Sequence, residues 1–208
     1  MSFIFDFDET ITKSETTSLL QQLSTREYPT KKELWNIRVD QYYKGYNQVY
    51  NQVLHSTIDK IGTQSFLMIW FSDKFQEIES NTNTLRDYEL RSIQETEACS
   101  LLEGLSQPAI RTDTESVQLR DGAAYVLNKG IPYISFNLTT SVLKEGKHCS
   151  IISVSWSRDL ITSTLERFIN KEYYNNIKIY CNDLEFNSEQ VTTGKILGIL
   201  NALWYAYF

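Results

Sequence analysis

Phe3-Ile4-Phe5-Asp6-Phe7-Asp8-Glu9-Thr10-Ile11-Thr12 is an apolar run that ends in two carboxylates one residue apart and then in a cluster of hydroxyls. A short continuous apolar run is what a buried parallel strand requires, and in open α/β sheets ligands collect beyond the carboxyl ends of the strands. Asp6 and Asp8 are therefore predicted at a strand's mouth. Neighbouring carboxylates repel each other and lose hydration on burial unless a cation or hydrogen bonds offset the loss, so folding alone does not account for the pair. The plainer alternative is an acidic exit from strand to loop, since Asp and Thr are common turn residues.

Outward from this stretch, the 208 residues are 41% hydrophobic and 13% aromatic, enough for one substantial core or a core with a small appended module. A net charge of −6 and a pI near 5.0 disfavour a nucleic-acid surface, which needs a basic stripe. Cys99, Cys149 and Cys181 are far apart and lack Cys-x-x-Cys spacing, so buried reduced thiols are expected rather than a disulfide framework or a zinc site. The N-terminus lacks a basic region and a long apolar stretch, and the apolar run from Ile196 to Phe208 is short for a bilayer span. The expectation is a soluble cytoplasmic protein that does not engage membranes.

Ser14-Glu15-Thr16-Thr17 reads as a helix start, with Leu19, Leu20 and Leu23 behind it. Trp35, Val39, Tyr42, Tyr46, Val49 and Val53 then recur in steps of four and three, one face of an amphipathic helix. Without basic residues between the aromatics, this stripe is expected to pack into the core rather than to stack on bases. A second helix is predicted from Ser65 to Ile78, a loop over Ser80-Asn81-Thr82-Asn83-Thr84, and a third helix from Leu85 to Leu105, ended by Gly104 and Pro108. The chain then returns to α/β: a helix over Val117–Leu127, an extended Ile131–Phe136, an apolar strand Cys149-Ser150-Ile151-Ile152, a helix starting near Ser157-Arg158-Asp159, and a strand Asn176–Cys181.

Asp6-Phe7-Asp8-Glu9-Thr10 after a strand resembles the first motif of the haloacid dehalogenase-like (HAD) phosphohydrolases. The strand end Ile151-Ile152-Ser153 resembles their second motif, with Ser155 as the competing position, and Trp156 stands where phosphoserine phosphatases carry an aromatic. Asn182-Asp183-Leu184-Glu185-Phe186 and Thr192-Thr193-Gly194 resemble the segment that follows in that branch. The wording from Ser153 to Ile161 is closer still to the HAD domain of plant thiamine monophosphate phosphatases and related uncharacterised fungal proteins. The resemblance implies a Rossmann-like α/β core with a parallel sheet, residues 1–12 and 106–208, and a helical cap inserted at 13–105. It implies that Asp6 attacks phosphorus, that Asp8 works as acid and base, and that Thr10 and Ser153 bind the phosphate. It also implies Mg²⁺, held by Asp6, Asp8 and a later acid.

The family's late Lys and acidic motifs are not matched. No Asp or Glu follows Glu189, and Lys195 is the one cation in that stretch. Three readings stand side by side: a truncated product whose core is incomplete at its C-terminus, favoured by the apolar tail; a degenerate pseudo-phosphatase; and an enzyme that recruits Asp159 or Asp183 as a metal ligand. The expected function is hydrolysis of a small phosphorylated metabolite through an aspartyl-phosphate. The alternative is a non-catalytic relative that binds a metabolite or a protein partner.

Overall fold

The computed structural model describes residues 3–61, 74–129 and 149–198. In chain order these form β1 (Phe3–Asp6), α1 (Thr17–Glu27), α2 (Lys32–Ile61), α3 (Lys74–Ala98), β2 (Glu103–Ser106), α4 (Gln107–Asp113), α5 (Ala123–Lys129), β3 (Cys149–Ser153), α6 (Arg158–Phe168), α7 (Lys171–Tyr174), β4 (Ile177–Cys181), β5 (Asp183–Phe186) and β6 (Val191–Leu197). The fold is mixed α/β. Its first sheet has the order β1-β3-β4 and is parallel throughout, with Asp6 opposite Ile152 and Ser153 opposite Cys181. Because the three strands run the same way, their carboxyl ends open on one edge, and that edge carries Asp6, Asp8 and Ser153.

β3, the middle strand, is buried at Cys149, Ile151, Ile152 and Ser153, as a strand covered on both faces must be. Behind it, α6 buries Leu160, Ile161, Thr164 and Leu165, a stripe at helical spacing. Ser157 caps this helix by accepting a hydrogen bond from Leu160 N at 3.2 Å. Phe7, Ile11, Leu20, Leu23, Leu101, Leu102 and Leu105 join the same cluster, so α1 shares its core with the sheet. Each fully buried Leu or Ile contributes about 2 kcal/mol of transfer free energy. No helix among the described residues is long and apolar enough to cross a membrane.

β5 and β6 form a hairpin that β2 extends into an antiparallel sheet of order β2-β6-β5. Asn187 builds its turn, the carboxamide oxygen accepting from Glu189 N and Val191 N at 3.0 Å each. In β6 the side chains of Thr192 and Ile196 face inward, and Thr192 accepts from Leu105 N at 2.8 Å, tying hairpin to core.

Several expectations need correction. α3 runs unbroken through Ser80–Thr84, where a loop was predicted: the residues are individually poor helix formers, but the helix they interrupt is long and pays their small penalty as a unit. That helix ends at Ala98 rather than Leu105, because Glu103–Ser106 pairs with β6 and hydrogen-bonding in a sheet overrides the local pattern. The helix predicted from Val117 begins only at Ala123; Leu119 instead bridges Thr12 in antiparallel fashion. The strand predicted at Ile131–Phe136, most of the helix predicted at Ser65–Ile78 and the tail beyond Gly198 lie outside the described residues.

Candidate active site

β1 delivers Asp6 at its last residue, and the chain then turns tightly. Ile11 N and Thr12 N both donate to Phe7 O, at 2.9 and 3.1 Å, and Glu9 adopts a left-handed φ of 56°. That conformation is costly for a residue with a Cβ and persists because the surroundings fix it. Thr12 is the staple: its buried hydroxyl accepts from Glu9 N at 3.2 Å and donates to Ser14 O at 2.8 Å. Arg120 clamps the turn from outside, its Nε 2.5 Å from Glu9 O. Thr12 and Arg120 are supports of the turn that the sequence did not reveal; for Thr12 the hydroxyl cluster after the acids was the available signal.

Asp8 is held from the start of α1. Its Oδ1 accepts from Thr16 N at 2.8 Å and from the Thr16 hydroxyl at 2.6 Å, while the Ser153 hydroxyl lies 3.5 Å from Oδ2 in a long hydrogen bond. Burial pushes the Asp8 carboxyl up to about 6, against the two Thr16 hydrogen bonds, which favour the charged form, and with a smaller contribution from Glu15 and Asp6. Thr16 stands at the N-cap of α1 but its side chain does not cap the helix; the hydroxyl serves Asp8 instead. Asp6 Oδ1 accepts from Phe7 N at 2.7 Å.

Of the phosphate-binding candidates, Ser153 is at the end of β3, where its hydroxyl also accepts from Ser155 N at 3.1 Å. Ser155 is fully buried and its hydroxyl has no hydrogen-bond partner among the described residues. Thr10 is exposed and is not part of the wall around the acids.

Asp6 and Asp8 open into a hollow of about 860 Å³. Its floor is the sheet edge with Val154 and Trp156; its far wall is made by α2 and α3. The aromatic stripe expected in the core divides: Trp35 is buried, though it borders this hollow, while Tyr42 and Tyr46 are half-buried and line it beside Tyr43, which lies off the stripe and is 52% exposed. Two helices packed on one another bury only one seam, which leaves the neighbouring residues of a wide stripe for the cavity. Tyr42 and Tyr46 stack with ring centroids 5.6 Å apart, and Tyr42 donates to Glu89 of α3 at 2.8 Å. Arg38, also in the wall, pairs with Glu95 at 2.8 Å.

The described residues do not complete a site for Mg²⁺. No group of three His, Cys, Asp or Glu converges among them. Asp159 accepts from Gln107 at 2.8 Å and Arg111 at 3.1 Å, and Asp183 accepts from Arg158 N at 3.2 Å at the start of α6, so both proposed substitutes are engaged elsewhere. Lys195 is exposed on β6, outside the wall of the hollow. The cysteines are free; burial pushes Cys149 up to about 11 and Cys181 up to about 12, as inert thiols require.

No protein-family model matches the chain. Among curated proteins it is similar to a CTO1 family protein of Schizosaccharomyces pombe, 27% identical over 198 residues that cover 95% of this chain and 61% of that protein. It is also similar to Cold tolerance protein 1 of Saccharomyces cerevisiae, 27% identical over 199 residues covering 90% of this chain and 56% of that protein. The chain thus spans about three-fifths of the length of the curated relatives it matches. A phosphoserine phosphatase structure with a phospho-aspartyl intermediate analogue covers 95% of the chain and 62% of its own, at 14% identity and TM-score 0.41. A HAD family hydrolase from Salmonella enterica serovar Typhi covers 94% and 44%, at 13% identity and TM-score 0.43. Scores this low carry no argument. What the chain itself displays is a mixed α/β fold with a parallel sheet, similar in sequence over most of its length to CTO1 family proteins.

Proposed function

We propose that the loop after β1 is a phosphoryl-transfer centre of the HAD type, acting on a small phosphorylated metabolite rather than on nucleic acid or a membrane. The observation that carries this is Asp8: a carboxyl group held near pH 6 at the mouth of parallel strands, facing Ser153 and opening with Asp6 into one hollow. A group that titrates there is protonated often enough to be a general acid and ionised often enough to be a base. In this reading a carboxylate oxygen of Asp6 attacks phosphorus, the bond from phosphorus to the ester oxygen breaks, and the proton on Asp8 passes to that oxygen. Asp8, now ionised, takes a proton from a water that attacks the aspartyl-phosphate, and phosphate leaves with Asp6 restored. This reading gives the orienting of a phosphoryl oxygen to Ser153, whose hydroxyl lies 3.5 Å from Asp8. Magnesium is the metal that HAD resemblance implies, but the described donors do not fit it and no step here depends on it.

The test is phosphate release from an aryl phosphate ester, in excess Mg²⁺ and in chelator, for the chain and for Asp6→Asn. Turnover that Asp6→Asn abolishes supports the reading; equal release by both proteins removes it.

A second reading is favoured by the lack of a converging third acid among the described residues and by the remote Lys195: a HAD-derived protein that binds a metabolite or partner without turnover. It predicts thermal stabilisation by phosphate esters that chelator does not change, with no phosphate released.

A further inference from the structure

The hollow is much larger than a phosphate group needs, and its volume of about 860 Å³ is in the range of sites that enclose a small molecule. The wall opposite the acids therefore meets the alcohol part of any ester whose phosphate lies at Asp6. That wall includes tyrosine rings and a carboxyl group. Tyr42 stacks on Tyr46 and lies 5.9 Å from Tyr88, centroid to centroid. Glu89 sits among them, half-buried, with the Tyr42 hydroxyl at 2.8 Å, and no Lys or Arg forms an ion pair with it among the described residues. A carboxylate has room for several donors, and here one is supplied.

The charge around the hollow has the same sense. Six carboxylates line it against two guanidiniums, and one of these, Arg38, is already paired with Glu95. A leaving group that carried another carboxylate would add repulsion in a partly desolvated space, whereas a cation would relieve it. Tyrosine faces attract cations through the ring quadrupole as well. Burial pushes the Glu89 carboxyl above the usual carboxylate range, and the Tyr42 hydrogen bond only partly offsets this; a cation beside it would favour the charged form.

We propose that Glu89 and the tyrosines of α2 and α3 that line the hollow with it form a subsite for a cationic nitrogen, so that the protein selects phosphate esters whose alcohol carries an ammonium group. This rests on the phosphoryl-transfer reading for the position of the phosphate. The subsite is built from side chains that the catalytic loop does not use, so it can be tested by binding without turnover.

The experiment is calorimetric titration of the full chain with phosphocholine, glycerol 3-phosphate, 3-phosphoglycerate and choline. Phosphocholine is expected to bind roughly tenfold tighter than glycerol 3-phosphate, with 3-phosphoglycerate weakest. Glu89→Gln should erase most of that preference while leaving glycerol 3-phosphate binding as it was. Tyr46→Leu, on a half-exposed part of the wall, should lower the preference severalfold and serves if Glu89→Gln does not fold. Glycerol 3-phosphate or 3-phosphoglycerate binding as tightly as phosphocholine would overturn the proposal, as would a preference untouched by either folded variant. Choline matching phosphocholine would keep the cation subsite and count against the phosphoryl-transfer reading alone.

Discussion

Thr16 holds Asp8 twice, through its backbone N–H at 2.8 Å and its hydroxyl at 2.6 Å, so the residue just before α1 decides where the second acid of the loop points. The hydroxyl gives up helix capping to do so, which is a local cost of about 1 kcal/mol. Its removal should be visible on Asp8. In Thr16→Val the carboxylate loses one charge-assisted hydrogen bond while burial is unchanged, so its titration midpoint moves upward from about 6 toward neutrality. Carboxyl-carbon NMR through the range is the check; a midpoint that stays or falls would contradict the arrangement.

Asp8 should also write itself into the pH dependence of stability. Its folded-state value of about 6 lies above the ordinary 3.8 because burial disfavours the charged form. The folded protein therefore holds more protons than the unfolded chain between these values. The stability linked to this group is fully present below 3.8 and is lost as the pH rises through about 6. The loss is roughly 2 to 3 kcal/mol. Asp8→Asn keeps an acceptor for Thr16 and has no charge to bury, so it should be the more stable protein at pH 7 and show no such slope. Urea unfolding at several pH values between 4 and 7 measures the difference, and parallel profiles for the two proteins would rule the effect out.

At Gly45 a side chain of α3 lies directly against α2. The Tyr88 ring occupies the space that a Cβ at Gly45 would take, and its hydroxyl donates to Tyr42 O at 2.9 Å and Gln41 O at 3.1 Å. Alanine is the better helix former by about 1 kcal/mol, yet the ring must move, and overpacking of this kind costs about 1 to 3 kcal/mol. Gly45→Ala is expected to be destabilising, and Gly45→Ala combined with Tyr88→Ala to cost less than the sum of the two. Strict additivity in thermal unfolding would show that the contact has no energetic weight.

Ser24 is a buried junction of three segments. Its hydroxyl accepts from Trp35 Nε1 at 3.0 Å and donates to Leu101 O at 2.5 Å. Ser24→Ala leaves the indole N–H and a carbonyl without their partner in a dry environment, an expected loss of about 1 to 3 kcal/mol. Tryptophan emission and the urea midpoint report it together; an unchanged midpoint would mean that water takes over both bonds.

What was legible in the sequence was whatever depends on neighbours along the chain. The run Phe3–Phe5 ending in two acids, the apolar Cys149–Ile152, and the stripe from Trp35 to Val49 gave β1, β3 and α2 their types, because side-chain periodicity and backbone hydrogen bonding act locally. The strand end at Ser153, with Ser155 as its competitor, came from the motif resemblance instead, and β3 does end at Ser153. The break imagined over Ser80–Thr84 and the helix carried on to Leu105 went astray where a weak local preference was overruled, in one case by the length of α3 and in the other by pairing with β6.

By itself, then, the sequence determined the type of β1, β3, β4, α1, α2 and α6 and which acids would stand at a strand's end. Only the tertiary structure decided that Thr16 serves Asp8, that Thr12 and Arg120 fix the turn, and that Tyr42 and Tyr46 of the aromatic stripe face a hollow instead of the core. Those outcomes depend on contacts between residues as much as 111 positions apart, Glu9 and Arg120, and on how much water each group loses there. A residue's identity does not carry that information, because desolvation is a property of everything folded around it.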